Sequence, residues 1–331
     1  MRKSLLFGLC LLGLLACKRD LDPAGPLLTD LYGDFRVLEP LSRSAGQIDF
    51  STGQRAHFTA RVSVLSDWEI QITGRNSGAV KVITGRSREI DVTNASWGGE
   101  TTRFPTFQTE ACDVQLTFPG RTDTLRSSIE VTGLRAIDAI ILDDFETGLS
   151  TAWTTFVQTG ADMKFLGATT PPLAEGLQYY RMGGTVGWDW LKGLLTLNAS
   201  AYNSTTGFGL PNNATQVHFN GIFRQRSDLT NGIVLFQFRE DENGDGVFTP
   251  ATEDMWAIEI RPGANWKLES IRYADLTALE NGAPTAPKGN GVHEPQKLLR
   301  VDVLFLANPT SGYSECDMDL LAFSLNGPVQ P

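Results

Sequence analysis

The densest group of side chains able to do chemistry lies between two apolar runs. Asp241, Glu242, Asn243 and Asp245 precede Gly246, and Glu253 and Asp254 follow shortly after. All offer hard oxygen atoms, the ligand type of calcium and magnesium. Held about 5 Å apart at an effective dielectric of about 20, two such carboxylates repel by roughly 3 kcal/mol, so water or a cation must offset them. The flanks, Ile233-Val234-Leu235-Phe236-Gln237-Phe238 and Trp256-Ala257-Ile258-Glu259-Ile260, are β-branched and aromatic. They read as two antiparallel strands joined by a long acidic loop.

Spacing within that loop favours a cation over water. Asp241, Asn243 and Asp245 alternate, with Gly246 where a tight turn is needed. This resembles the start of the calcium loop of an EF-hand, where alternate oxygen ligands wrap one ion. The chain departs from that family at the twelfth loop position, which holds Thr252 instead of a bidentate acid, and in its flanks, which read as strands. The expectation is a calcium site of Asp241, Asn243 and Asp245, closed by Glu253 or Asp254, without the EF-hand fold.

A second constellation is aromatic. Trp188 and Trp190 stand two apart, so on a strand they share one face while Asp189 takes the other. Tyr179 and Tyr180 lie just upstream, and Asn198, Asn203, Asn212 and Asn213 supply amides. Sugars bind where aromatic faces meet apolar ring surfaces and a few polar groups fix the hydroxyls. Trp188, Trp190 and Tyr180 are therefore candidate glycan contacts, set against the alternative that these rings pack a core. Catalysis finds little support. His57, His218 and His293 are far apart and none has a Cys or Asp at metal-ligand spacing. No nucleophile elbow, zinc-protease motif or phosphate loop occurs. Asp143 or Glu146 could serve a glycosidase as the acid, yet each acid cluster fits a calcium loop or a domain edge better, so a non-enzymatic binder is expected.

These residues need elements to hold them, and the chain supplies short strands. With 33 Gly and 41% hydrophobic residues, it reads as β-structure with many turns and enough apolar mass for two domains. From 34 to 133, Phe58, Ala60, Val62 and Val64 alternate with polar residues, as do Trp68, Ile70 and Ile72, and Val114, Leu116 and Phe118. Period two with intervening turns marks half-buried sandwich strands, with Trp68 and Phe118 in the core and His57 on the exposed side. The series Trp68-Glu69-Ile70-Gln71-Ile72, Ser77-Gly78, Ile90-Asp91-Val92 and Trp97-Gly98-Gly99 resembles the immunoglobulin-like domain of bacterial flagellar hook-capping and surface proteins. That resemblance implies a spacer or adhesive module.

Residues 137–331 resemble the galactose-binding-like jelly rolls that include many carbohydrate-binding modules. The match rests on Asp143-Asp144-Phe145-Glu146 as an opening strand and on Gly183-Gly184 through Trp188-Asp189-Trp190 as an early strand. It also rests on Trp266 to Leu276, and on Val301 to Phe305 with Cys316 to Phe323 as a closing pair. In that family an acid from the first strand and one from the last commonly share a structural calcium. Carried over, these are Glu146 and Asp319. The expected fold is all-β, an immunoglobulin-like β-sandwich followed by a galactose-binding-like jelly roll, binding an oligo- or polysaccharide and stabilised by calcium.

At the start, Arg2-Lys3 and an apolar run from Leu5 to Leu15 read as a signal peptide over 1–16, too short to span a bilayer of ~30 Å. Leu14-Leu15-Ala16-Cys17 resembles the lipobox of bacterial lipoproteins, which implies acylation of Cys17. Lys18-Arg19-Asp20 loosely resembles the export tag of surface lipoproteins in Bacteroidetes, so the cell-surface side of the outer membrane is expected. Residues 17–33 read as a lipidated tether. Cys112 and Cys316 fall in different domains and read as buried thiols, not a disulfide. A net charge of −10 argues against nucleic-acid partners. In a bacterial host, Cys17→Ala is expected to abolish palmitate labelling and to move the protein out of the membrane fraction; unchanged attachment would remove the anchor.

Overall fold

Strict alternation carries the N-terminal half. In the computed structural model, which describes residues 33–170, 172–185, 190–203, 206–280, 282–307 and 312–331, Phe58 to Val64 and Trp68 to Ile72 belong to one 19-residue strand, β3 (Ala56–Gly74). The sequence suggested two strands there. Burial nevertheless continues on every second residue through Ser66, so the junction keeps its phase. The other strands are β1 (Val37–Arg43), β2 (Gln47–Asp49), β4 (Val80–Ile90), β5 (Ser96–Trp97), β6 (Ala111–Thr117) and β7 (Thr124–Gly133). They run in the order β1-β3-β6-β7-β2, with β4 and β5 also on β3. Trp68, Ile70, Ile72, Val114, Leu116 and Phe118 fill one core. Trp97 is buried between Phe50 and Phe107, each with centroids 4.7 Å away, and its indole N–H donates to the Glu100 carbonyl. His57 is half-buried, not exposed.

The C-terminal half is two antiparallel sheets packed face to face. One contains β8 (Ile140–Asp143), β10 (Asp162–Ala168), β11 (Tyr179–Thr185), β13 (Val217–Arg224), β16 (Lys267–Arg272) and β20 (Tyr313–Leu325), in the order β10-β11-β20-β13-β16 with β8 on β20. The other contains β9 (Trp153–Val157), β12 (Trp190–Asn198), β14 (Ile233–Glu240), β15 (Met255–Ile260), β17 (Thr277–Glu280), β18 (Ala283–Pro284) and β19 (Leu298–Ala307), in the order β18-β17-β15-β14-β19-β12-β9. A short helix, α1 (Ala199–Asn203), follows β12. The fold is all-β, with a jelly-roll sandwich in its second half. Between the sheets Phe219 meets Phe236 at 4.7 Å, Phe238 at 5.1 Å and Phe323 at 5.8 Å, offset and tilted as ring quadrupoles prefer.

Two expectations about these strands are corrected. Val301–Phe305 and Cys316–Phe323 do not pair with each other, because β19 and β20 lie in opposite sheets. Gly183 and Gly184 are inside β11, whereas Trp190 opens β12 in the other sheet. Both errors arise because period two reports which residues share a face, not which strand lies alongside. Cys112 and Cys316 are free and buried, as expected; burial raises the Cys112 thiol to about 12 and also pushes the Cys316 thiol well up.

The halves meet through one strap. The Thr106 amide donates to the Ala174 carbonyl at 2.8 Å, and the Thr101 amide to Pro331 at 2.8 Å. Phe104 packs on a cluster with Ala174, Trp266, Leu320 and Val329.

Gly85 marks a close approach in the first core. It sits opposite Trp68 in the β3–β4 ladder, and an added Cβ would fall on the indole ring. Gly85→Ala is expected to cost roughly 1–3 kcal/mol through overpacking, read from the midpoint of a denaturant melt; a neutral result would mean that Trp68 moves freely.

Candidate functional site

On β14 and β19 one face is turned into the sandwich core, while the other mixes apolar residues such as Leu235 and Leu304 with polar ones. Val234, Phe236, Phe238, Val301, Val303 and Phe305 are buried between the sheets. Their neighbours Gln237, Arg239, Arg300 and Asp302 line the outer face. Strand register carries a polar row across the sheet, with Gln237 opposite Asp302, Asp302 opposite Thr196 and Thr196 opposite Thr154.

Asp302 is the centre of that row. It is fully buried and accepts from Arg239 Nε at 2.7 Å, Arg300 Nε at 2.7 Å and Thr196 Oγ1 at 2.6 Å. A buried carboxylate needs such donors, because removing it from water without them is prohibitive. Arg239 Nη2 also donates to Gln237 Oε1 at 3.2 Å, and its guanidinium lies 5.0 Å from the Phe248 ring. Arg300 Nη2 reaches Thr196 Oγ1 at 3.4 Å.

Beside the row lies a cavity of about 310 Å³, lined among others by Leu235, Gln237, Arg239, Phe248, Met255 and Leu304. Its walls are the end of the acidic loop, and β17 with the turn beyond it, where Lys288 pairs with Glu280 at 3.3 Å. A mainly apolar cavity with a few convergent polar groups is the usual form of a small-ligand site.

The aromatic candidates fare differently. Tyr180 is buried in the core, stacked on Phe145 at 5.4 Å, so it offers no free ring face; this corrects the expectation for it. Trp188 lies outside the described residues, and Trp190 opens β12 in register with Ala307. The polar residues that do share a face, Gln237, Arg239, Arg300, Asp302 and Thr196, were missed. Their signal was available as polar residues at every second place inside apolar runs, Phe236-Gln237-Phe238-Arg239 and Arg300-Val301-Asp302-Val303.

The acidic loop closes on itself. Asp241 accepts the amides of Gly244 at 2.8 Å, Asp245 at 3.2 Å and Gly246 at 2.7 Å. Asn243 Oδ1 accepts the Asp245 amide, and Asn243 Nδ2 donates to Asp245 Oδ2. Glu253 accepts the amides of Glu242, Asn243 and Thr249, while Asp254 accepts those of Gly289 and Gly291. These backbone bonds hold the loop closed and leave each carboxylate oxygen a further lone pair. Among the described residues, this loop and the acid group below included, no three His, Cys, Asp or Glu are arranged as a ready metal site. Beneath the loop Glu240, fully buried, accepts from Tyr273 Oη at 2.9 Å and the Glu294 amide at 2.8 Å, and burial raises its carboxyl to about 7.

The acids at the sandwich end behave otherwise. Asp319 on β20 is fully buried, and Glu146 and Glu175 lie close enough to raise its pKa further above the level that burial sets. Burial, with Glu146 and Asp144 adding to it, brings Glu175 to about 7. Among the described residues the hydrogen-bond partners of the Asp319 and Glu146 carboxylates are backbone amides: Glu175 and Leu320 for Asp319, Leu177 and Gln178 for Glu146. Two residues beside these acids, Phe145 and Leu320, have φ of 58° and 43°, left-handed values that non-glycine residues rarely adopt. Hard carboxylate oxygens that repel one another, with no ion-pair partner among the described residues, are the ligand type of a divalent cation, though these three are not arranged as a ready metal site. Asp143 spends its oxygens on the Phe145 and Ser150 amides, each at 2.9 Å.

No family model and no curated relative matches the chain. Among solved structures it is similar to a family 11 carbohydrate-binding module from Clostridium thermocellum in complex with a β-1,3-1,4-mixed-linked tetrasaccharide (16% identity, 59% of this chain and 99% of that one, TM-score 0.39). Others are a family 30 module of a Clostridium thermocellum cellulosomal cellulase (13%, 52% and 91%, TM-score 0.34) and a xylan-binding family 22 module from Paenibacillus barcinonensis (15%, 58% and 97%, TM-score 0.32).

The crowded acids make a pH prediction. Glu175 and Asp319 hold protons in the folded state at pH values where the unfolded chain has lost them. The Glu175 contribution is full below its unfolded pKa of about 4.5 and is lost as pH rises through about 7. In chelator the melting temperature of wild type is expected to rise more than that of Glu175→Gln as pH falls from about 8 to about 5.5. Parallel curves would mean that Glu175 has an ordinary pKa.

Proposed function

We propose that this chain is a non-catalytic glycan-binding protein, carried on the outer membrane by lipid at Cys17, with its ligand on the outer face of the seven-stranded sheet. The observation that carries the reading is the cavity beside the Asp302 row. Sugar rings present apolar C–H faces and a rim of polar groups. Leu235, Leu304, Met255 and Phe248 suit the first, and Arg239, Gln237 and Lys288 suit the second. A binding role is favoured over glycosidase chemistry because the acids near the cavity are occupied, Asp302 by two arginines and Glu253 by three amides. Asp143 is likewise tied to amides. In this reading residues 34–133 serve as a spacer, and calcium sits with Glu146, Glu175 and Asp319, not with Asp241, Asn243 and Asp245.

Two measurements test it. On a panel of insoluble polysaccharides, the Cys17→Ala chain should be retained by at least one, and Arg239→Ala or Gln237→Ala should weaken retention about tenfold while the fold still melts cooperatively. Equal retention of the variants would move the site elsewhere. For the ion, about 5 mM calcium should stabilise by roughly 1–2.5 kcal/mol if its Kd lies near 10⁻⁴ to 10⁻³ M. Asp319→Asn should remove that gain, and a paired Asp241→Asn, Asp245→Asn variant should keep it. The reverse pattern would return the ion to the loop.

A further inference from the structure

We infer that Gln237 is the specificity-determining contact of the cavity, presenting two N–H donors to the sugar, and that Asp302 is the positioning residue that fixes them there through Arg239. The inference rests on the binding reading above and names the atoms that read the ligand. It follows from what a guanidinium cannot do.

An arginine side chain donates hydrogen bonds and accepts none. The end of the Gln237 amide that meets Arg239 Nη2 at 3.2 Å must therefore be its oxygen. The other end is then the nitrogen, whose two N–H groups have no protein partner among the described residues. Gln237 is half-buried and lines the cavity, so a ring, glycosidic or hydroxyl oxygen of a sugar lying over it meets donors. A sugar hydroxyl that has to donate finds its acceptor elsewhere on the lining, at Glu280, whose side chain is 58% exposed.

Asp302 does not line the cavity, yet it holds this arrangement. Arg239 is clamped through Nε to Asp302 Oδ2 at 2.7 Å and through Nη2 to Gln237, with its guanidinium 5.0 Å from the Phe248 ring. The guanidinium is planar and rigid, so the bond at Nε sets where Nη2 points. Asp302 is fully buried, and its other oxygen is anchored by Thr196 and Arg300. Gln237 stands opposite Asp302 in the β14–β19 ladder. Once the guanidinium is released, the amide nitrogen of Gln237 is free to turn across the ladder toward the carboxylate, away from the cavity.

The test uses the full chain carrying Cys17→Ala, in affinity electrophoresis against four soluble polymers: a β-glucan, a xylan, a galactan and a polyuronate. Variants are then compared on whichever polymer retards this parent most. Gln237→Glu keeps the shape and puts an acceptor where the donors stood, so it should weaken retardation about tenfold in a chain that still melts cooperatively. Asp302→Asn is equally isosteric. Its oxygen is drawn to the side where Thr196 and Arg300 both donate, which leaves its N–H groups against that of Arg239 Nε. It should weaken retardation by a similar factor in the parent and by less than about twofold in the Gln237→Glu background, because both changes act through one contact. The same cost in both backgrounds would mean a purely structural role and overturns the relay. If Asp302→Asn does not fold, Arg239→Met breaks the same link from the other end and is read in the same two backgrounds. Retardation unchanged in Gln237→Glu overturns the donor assignment and leaves the glycan reading standing. Retardation by none of the four polymers overturns both.

Discussion

A carboxylate without access to water stays charged only if its neighbours replace the water. Asp302 meets that condition on the middle strands of the seven-stranded sheet, and the requirement orders everything around it. Arg239 must come from β14, Arg300 from β19 two residues before Asp302 itself, and Thr196 from β12, so three adjacent strands are held in one register. A one-residue slip of β14 would send Arg239 into the phenylalanine core and Phe238 to the surface. The polar row on one face and the Phe219–Phe236–Phe238–Phe323 packing on the other are thus two sides of one constraint.

Much of the fold was legible because alternation is a local signal. The inward sets of β3 and β6 were readable residue by residue, and β14 and β15 were readable as an antiparallel pair, which the structure forms with Phe238 opposite Trp256. Strand partnership was not readable. β19 and β20 are consecutive, similar in composition and in opposite sheets, and only the packed structure distinguishes a hairpin from a crossover. The polar row was hidden for the same reason, since its members lie far apart in sequence and meet only through the ladders. Tyr180 was misread because aromatic content alone does not say which side of a strand faces the core.

The two carboxylate groups are assembled differently. Asp241, Asn243, Asp245 and Glu253 are close in the chain, and that closeness lets each reach the amides of its own loop, while Asp254 turns to Gly289 and Gly291. Glu146, Glu175 and Asp319 come from three separate segments, and the fold drives them together with little to neutralise them. Local turns can satisfy an acid through backbone geometry. Acids assembled by tertiary structure depend on what the assembly brings, which here is mainly one another.

The strap between the halves has a mechanical consequence. Residues 174–178 bond Thr106 on one side and lie against Asp319 and Glu146 on the other, while Phe104 is embedded among Ala174, Leu320 and Val329. A pull on the outer sheet crosses the phenylalanine layer to β20 and reaches the N-terminal half through this short segment and the Thr101–Pro331 bond. These bonds lie in parallel with the covalent chain between β7 and β8, so loss of the strap would leave the halves joined by that chain and free to turn about it.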